Sequence, residues 1–349
     1  MMTKLTLVAL ALTLVPITEG RAQSSAGDAV PVTVDNFVRA ESDLYMRNLA
    51  KESGGFAKLY HRREPASIDN QTVIRLNRDT LYSSAIVDLD AGPVTVTLPD
   101  AGPRFMSLMT VSQDHYTTTV YGAGPHTIDK NKVGTRYALV GIRTLVDPAD
   151  PKDVAQVHQL QDAIKVSQQG TGTLTLPNWD AASQKKVRDA LLVLATTMPD
   201  FRKAFGTKDQ VDPVRHLVAS AAGWGGNPDR DAVYLNVTPA RNDGKTIYRL
   251  NVGAVPVEAF WSVSLYNAQG YYEKNPYNAY TVNSITGRKG GDGTIAIQFG
   301  GCDGKIPNCL PIMNGWNYTV RLYRPREAIL NDTWKFPEPQ PLETQGARP

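Results

Sequence analysis

Two stretches of this chain consist of short runs with a period of two, separated by turn sequences. In the first, residues 73–140, runs rich in Val, Thr, Tyr and Leu alternate with turns at 90–93, 99–103 and 122–125 that contain glycine and proline. The run Val94–Leu98 places valine and leucine on one face and threonine on the other, as a half-buried strand requires. Strands with turns about every eight to twelve residues predict an antiparallel sandwich or barrel.

The second stretch begins at Asp231. Five further strands are predicted, at 232–237, 246–252, 260–266, 294–299 and 318–323, with turns at 242–244 and 290–293. In the third of these strands Trp261, Val263 and Leu265 share one face and two serines lie on the other, which indicates one apolar and one polar side.

Helical periodicity marks four other segments. The first is expected at about 35–51, with Asp35 as its cap. Pro151 suits the first turn of a second helix, Asp180 can cap a third, and 212–213 opens a fourth that ends in the glycines of 223–226. The order is therefore β module, helical segment, β module.

The N-terminus has the pattern of a secretory signal. An uncharged run from Leu5 to Ile17 follows Lys4, and small residues stand before a cleavage position after Ala22. A membrane anchor is the competing interpretation, but a span needs roughly 20 apolar residues and this run is shorter. We therefore expect residues 1–22 to be removed, leaving a soluble periplasmic or secreted protein without a transmembrane segment.

Charge and cysteine content agree with that class. The chain has 37 basic and 34 acidic residues and no long run of like charge, so a nucleic-acid partner is not expected. Its two cysteines, Cys302 and Cys309, predict a disulfide in an oxidising compartment. A metal pair or redox dithiol is the alternative, but the spacing is not Cys-x-x-Cys and the loop has no histidine.

The most polar motif is Asn77-Arg78-Asp79-Thr80-Leu81-Tyr82, which stands where a strand begins. In the structural interpretation these side chains close a turn, with Arg78 paired to Asp79 or Asp88. In the functional interpretation Arg78 binds an anion, Asp79 is a base or ligand, and Tyr82 donates a hydrogen bond in a pocket. The structural interpretation is favoured.

Two histidines extend the functional interpretation. His115 follows an apolar run and His126 lies in a nearby loop, so the two could meet across a hairpin and bind a metal with Asp114 or Asp79. The pattern lacks closely spaced histidines on one strand, so a hydrogen-bonded loop histidine is the simpler hypothesis. His158 and His216, on predicted helices, are interpreted as partly exposed helix residues or satisfied core residues.

Familiar catalytic and cofactor signatures are absent from the sequence. There is no Gly-x-Ser-x-Gly elbow, no His-Glu-x-x-His, no phosphate-binding loop and no dinucleotide fingerprint, and we predict no cofactor. Asn77, Trp261 and Tyr266 are candidates for ligand binding, because aromatic residues stack on sugars or aromatic ligands; core packing is the alternative for the two aromatics.

The block 77–84, with 87–89, 92–93 and 99–100, resembles the bacterial domain of unknown function 1254. The segment from Tyr248 through 260–262, 275–276, 292–293, 310–311 and 321–325 resembles the domain of unknown function 1214 that usually follows it. At 309 this chain has cysteine where that family more often has tryptophan, which puts in doubt any aromatic role there.

The resemblance implies a mainly β fold with a helical segment: two jelly-roll-like antiparallel β-sandwich domains joined by helices. The expected boundaries are an N-terminal domain at 23–175 with its leading helix, a helical connector at 176–230, a C-terminal domain at 231–337 and a disordered tail at 338–349.

Three functions are compatible with this sequence. The first is a binding or assembly module for a small molecule or glycan, for which a homo-oligomer is a compatible assembly. The second is an exported hydrolase of an ester or glycan-like substrate that uses Arg78, Asp79, Tyr82 and His115. The third is a metal-dependent enzyme with His115 and His126 as ligands.

Overall fold

The computed structural model describes residues 29–71 and 74–342. The expected signal segment, 1–22, lies outside these residues. Among those described, no helix is long and apolar enough to cross a membrane.

The N-terminal half is a sandwich of a five-stranded and a three-stranded sheet. Its elements are α1 (Phe37–Glu52), β1 (Tyr60–His61), β2 (Thr80–Asp88), β3 (Val94–Leu98), β4 (Met106–Ser112), β5 (Thr117–Tyr121), β6 (Gly124–Ile128), α2 (Lys130–Val133), β7 (Tyr137–Leu145), α3 (Pro151–Ala163) and β8 (Lys165–Gln168). The sheets have the orders β1-β2-β7-β4-β5 and β6-β3-β8 and are antiparallel. The alternation predicted for β3 is observed, with Val94, Val96 and Leu98 in the core between the sheets.

Helices cover the outer face of the five-stranded sheet. Met46 and Ala50 of α1 pack against Ile86 and Val111. The connector helices α4 (Ala181–Ala195) and α5 (Pro213–Ala222) pack on the other side of α1.

The predicted capping residues are mostly correct. The carboxylates of Asp180 and Asp212 accept hydrogen bonds from backbone N–H groups of α4 and α5, as capping requires. The cap predicted at Asp35 is wrong: α1 begins one residue later, after Asn36, whose side chain makes no capping hydrogen bond.

The C-terminal half is a second sandwich, of two four-stranded sheets. Its elements are β9 (Ala232–Val237), β10 (Tyr248–Val252), β11 (Trp261–Tyr266), β12 (Thr281–Asn283), β13 (Ile295–Phe299), β14 (Cys309–Leu310), β15 (Asn317–Tyr323), α6 (Glu327–Leu330) and β16 (Gln340–Pro341). The sheets have the orders β12-β11-β15-β9 and β14-β13-β10-β16, antiparallel except for the β13–β14 pair. The five predicted strands are found within two residues of their expected ends.

The C-terminal tail differs from expectation. Gln340 and Pro341 pair with Arg249 and Tyr248 at the edge of a sheet, so this part of the predicted disordered tail is ordered. Phe336, just before it, packs edge-to-face on Trp261. Burial of that apolar side chain anchors the segment. Residues 343–349 lie outside the described residues.

The disulfide between Cys302 and Cys309 is confirmed. It closes a loop that joins β13 to β14.

Candidate functional site

Asn77 joins the two sandwiches just before β2. Its Oδ1 accepts a hydrogen bond from the backbone N–H of Asp79 at 2.8 Å, which closes the turn. Its Nδ2 lies 3.1 Å from the hydroxyl of Tyr82, in the same domain, and 3.1 Å from the hydroxyl of Tyr323 on β15. The amide is therefore both a turn former and a contact between domains.

Asp79 is fully buried at this junction. Its Oδ1 accepts long hydrogen bonds from Thr281, at 3.3 Å, and from the amide of Asn283, at 3.4 Å. Its Oδ2 has no hydrogen-bond partner among the described residues. The carboxylate thus faces the polar side of the sheet that contains β11 and β12.

Arg321 lies on that same polar side and is only 3% exposed. Its guanidinium donates to the hydroxyls of Ser264 and Tyr266, at 2.9 and 2.8 Å, and to the carbonyl oxygen of Arg75 at 2.8 Å. Burial acts to lower the pKa of Arg321, but the neighbouring tyrosines and Asp79 outweigh it and hold this pKa well above its usual value. Arg321 therefore stays positively charged, and its hydrogen bonds link β11 and β15 to the segment before β2 in the N-terminal domain.

Tyr82 meets a second buried arginine. The guanidinium carbon of Arg143 lies 5.4 Å from the centre of the Tyr82 ring. Arg143 also donates to Oδ1 of Asn227 at 3.3 Å and to the carbonyl of Gly225 at 3.1 Å. Burial acts to raise the pKa of Tyr82, but Arg143 and the hydrogen bond from Asn77 outweigh it, so the pKa is lowered.

His115 forms the tip of the turn between β4 and β5, with φ of 61°, and is fully buried. Its Nε2 accepts a hydrogen bond from the backbone N–H of Gly225 at 2.8 Å, so a neutral ring carries its proton on Nδ1, which has no partner among the described residues. The ring stacks with His216 and Trp224 at 5.3 and 5.7 Å between centres. Burial, with His216 adding to it, lowers the pKa of His115 to about 3.

His216 itself is a satisfied core residue, as one of the two sequence interpretations held. Its Nδ1 lies 3.0 Å from the carbonyl oxygen of Ala204, and its Nε2 lies 3.0 Å from that of Asp114.

The pairing expected for Arg78 is wrong. Its guanidinium lies over the ring of Tyr280 at 5.2 Å and donates to the carbonyl of Ala66. Asp88 instead binds Arg136, with contacts of 2.8 and 3.0 Å. The two residues lie at opposite ends of β2, because Arg78 precedes the strand and Asp88 is its last residue. The Arg78 side chain extends to Tyr280 of the C-terminal domain.

His115 and His126 do not form the metal site considered above. His126 lies on β6, in the three-stranded sheet, and its Nε2 contacts the carbonyl of Gly122 at 2.9 Å. His115 lies at the other sheet and contacts α5 and its C-terminal glycines. Within the described ranges no three Asp, Glu, His or Cys side chains are grouped as metal ligands.

Trp261 and Tyr266, two predicted ligand-binding residues, are both buried. Trp261 belongs to the apolar core of the C-terminal sandwich. The hydroxyl of Tyr266 donates to the carbonyl of Leu76 at 2.8 Å and accepts from Arg321. Their burial leaves neither side chain free to stack on a ligand.

The predicted catalytic residues do not converge on one cavity. Arg78, Asp79, Tyr82 and His115 each contact a different set of partners, although Gly225 links Arg143 to His115 by its carbonyl and N–H. The sequence interpretation missed Arg143, Arg321 and Tyr323. In β15 the signal was present, because Thr319, Arg321 and Tyr323 alternate with apolar residues just as the serines of β11 do.

A cavity of about 320 Å³ lies between the two domains. The N-terminal domain contributes the loop 98–106 and the turn 121–123, and the C-terminal domain contributes 258–260, Ile285 and Arg324. Its aromatic wall is the partly buried Phe105, whose ring meets that of the fully buried Phe260 edge-to-face at 5.3 Å. This space joins segments that are far apart in the sequence.

A cation lies at the edge of the interdomain cavity. The guanidinium of Arg324 lies 4.7 Å from the centre of the Tyr121 ring and pairs with Glu258. The Tyr121 hydroxyl is fixed by a 2.9 Å hydrogen bond to Asp231. The side chains of Arg324 and Glu258 are 39% and 49% exposed, so this ion pair is open to solvent.

Fold and cavity together define a two-domain protein of β-sandwiches with a cleft where the domains meet. The chain belongs to the family that pairs two domains of unknown function. DUF1254 matches residues 56–141, and DUF1214 follows it at 233–327. The resemblance noted in the sequence is thus confirmed.

Solved structures share this fold. The VPA0106 protein from Vibrio parahaemolyticus has a TM-score of 0.68 and 17% identity, over 89% of this chain and 98% of that one. An uncharacterized protein from Burkholderia cenocepacia has a TM-score of 0.51 and 13% identity, over 88% of each chain. No curated protein matches this sequence.

Proposed function

We propose that this protein binds a small molecule with an apolar body and an anionic group in the interdomain cavity. The observation that carries the proposal is a cavity of about 320 Å³ with walls from both domains. Ligand sites are concave and common at domain interfaces, and their volumes begin at about 300 Å³.

In this proposal the aromatic wall contacts the apolar body of the ligand, and the cation contacts its anionic group. Phe105, which is only partly buried, offers apolar surface for the body of the ligand. Arg324 offers a guanidinium held over Tyr121, and its exposed pairing with Glu258 is worth little in water. A ligand carboxylate can therefore replace Glu258 as the partner of Arg324 at small cost.

The hydrolase hypothesis is less well supported. None of Arg78, Asp79, Tyr82 and His115 lines the interdomain cavity or the second cavity described below. Binding without chemistry needs no such residues. The hydrolase hypothesis stays a prediction, as does the homo-oligomer.

A periplasmic or secreted location is part of the proposal. The support is the disulfide, because such bonds persist in oxidising compartments. Fractionation of the bacterium, with the Cys302–Cys309 redox state read by thiol labelling, tests it. Recovery in the cytoplasm with reduced thiols contradicts it.

Calorimetric titration with 2-naphthoate and its neutral amide tests the binding site. We expect saturable binding of the acid, weaker binding of the amide, and at least tenfold weaker binding of the acid to Ala123→Trp, which fills the cavity mouth. The control is Ala149→Trp, at an exposed turn outside the cavity, which should bind as the wild type does. No saturable binding of the acid, or equal affinity in both variants, contradicts the proposal.

A further inference from the structure

A second cavity, of about 280 Å³, lies in the C-terminal domain beside the disulfide loop. It is bounded by β12 and the residues on either side of it, and by the loop that Cys302 and Cys309 close. Among the residues that the structure describes, no charged side chain lines it. Because an unpaired charge is costly to remove from water, this cavity suits a neutral ligand.

Tyr277 provides an aromatic surface in this cavity. Its side chain is one of the few large apolar groups in the described chain that remain exposed, at 41%. The hydroxyl donates to the carbonyl of Cys302 at 2.8 Å, which ties the ring to the disulfide loop. The ring is therefore fixed before any ligand arrives, which lowers the entropic cost of binding.

Gly304 allows this close approach. Its φ is 78°, in the region that favours glycine, and a Cβ there would lie 3.2 Å from the Tyr277 ring. Ring and loop thus form one wall, and the disulfide limits the movement of that wall.

The polar groups of the cavity are mainly acceptors. The hydroxyl of Thr286 donates to Oδ1 of Asn283, and that of Thr281 lies within 3.3 Å of two acceptors, Oδ1 of Asp79 and the carbonyl of Val263. A hydroxyl oxygen whose proton is used in this way still has lone pairs to accept with. A matching ligand brings hydroxyl donors.

We propose that this cavity binds a neutral sugar ring. The apolar face of the sugar lies against Tyr277, and the sugar hydroxyls donate to Thr281 and Thr286. The site is separate from the interdomain cavity, shares no lining residue with it, and does not depend on the function proposed for it.

Titration of the full chain with methyl glucoside, methyl galactoside and methyl mannoside, followed by NMR, tests the proposal. We expect at least one of them to bind saturably and to shift the signals of Thr281, Thr286 and Tyr277. The methyl uronide of the sugar that binds most tightly, which has a carboxylate in place of the CH2OH group, should bind at least tenfold more weakly than that sugar.

Two variants of Tyr277 distinguish the contribution of the aromatic ring to binding from that of its hydroxyl. Tyr277→Ala should weaken glycoside binding at least tenfold, whereas Tyr277→Phe, which keeps the ring and loses one hydrogen bond, should weaken it less than fivefold. The control is Tyr271→Ala, a nearby tyrosine outside the cavity, which should bind as the wild type does. No saturable binding, equal affinity in Tyr277→Ala, or equal affinity for the sugar and its uronide overturns the proposal.

Discussion

The two domains meet in two places that differ in character. Around Asn77, Asp79 and Arg321 the contact is polar and buried, and its groups are held by neighbours from both sandwiches. Around Phe105 and Arg324 the domains leave a cavity whose ion pair is open to solvent. The polar block at 77–84 looks most like an active site in the sequence, but its buried groups make hydrogen bonds between the two domains. Space for a ligand comes from loops that carry no catalytic motif.

Arg321→Met should have the largest effect, because it removes a buried cation from the junction and takes its hydrogen bonds from Ser264, Tyr266 and the carbonyl of Arg75. We expect the free energy of unfolding to fall by about 3 to 5 kcal/mol. Urea denaturation followed by fluorescence measures it.

Arg324→Met is the matched control at the cavity, since this arginine is exposed and its ion pair is weak. Its cost should stay within about 1 kcal/mol. If both substitutions cost the same, the distinction between a structural junction and an open cavity is wrong.

The pH dependence of the unfolding free energy should show how well the fold excludes water from the His115 ring. In the folded protein the pKa of His115 is about 3, below the usual 6.5, because burial disfavours the imidazolium. Between these pH values the unfolded chain binds a proton that the folded protein does not. Stability should therefore fall as the pH drops from 6.5 towards 3, by on the order of 5 kcal/mol in total, and this contribution should not change further below pH 3.

His115→Asn is the variant for this measurement, since asparagine tolerates the positive φ of this turn. It should be less stable at neutral pH but should lose less stability than the wild type between pH 6.5 and 4. An unchanged slope would mean that other groups cause the pH dependence and that the histidine is not sealed from water.

Local features of the fold could be predicted from the sequence because their causes are local. The caps at Asp180 and Asp212 lie within three residues of the N–H groups they bind. Trp261, Val263 and Leu265 were assigned to one face by alternation alone, and all three are in the C-terminal core. The disulfide followed from having only two cysteines in a chain that was expected to be exported.

The junction and the cavity could not be predicted in the same way. Asn77 and Tyr323 are separated by 246 positions in the chain, and Asp79 and Asn283 by 204. Side-chain type shows that such residues need partners when buried, but which partners they meet depends on how two complete sandwiches pack. The interdomain cavity has the same origin, since neither loop 98–106 nor Arg324 forms it alone.

Replacing both cysteines, Cys302→Ser with Cys309→Ser, should weaken binding at the second cavity and leave binding at the interdomain cavity unchanged. Loss of this short loop closure should cost about 2 to 3 kcal/mol of unfolding free energy. Because Tyr277 is tied to the Cys302 carbonyl, glycoside binding should weaken, whereas binding of 2-naphthoate at the interdomain cavity should not change. Thermal denaturation and the two titrations check this, and a parallel loss of both affinities would show that the cavities are not independent.

Arg324 and Glu258 should give the smallest changes in stability and opposite changes in binding. In Glu258→Gln the guanidinium loses its competing carboxylate, so 2-naphthoate should bind about three- to tenfold more tightly, an effect of about 1 kcal/mol. Arg324→Gln should weaken binding by a similar factor and bring the affinity for the acid close to that for the neutral amide. Calorimetry on both variants measures these changes, with unfolding free energies expected within about 1 kcal/mol of the wild type. Changes of the same sign in the two variants would mean that the shape of the cavity and not its charge determines the affinity, with the apolar surface of Phe105 as the main contact.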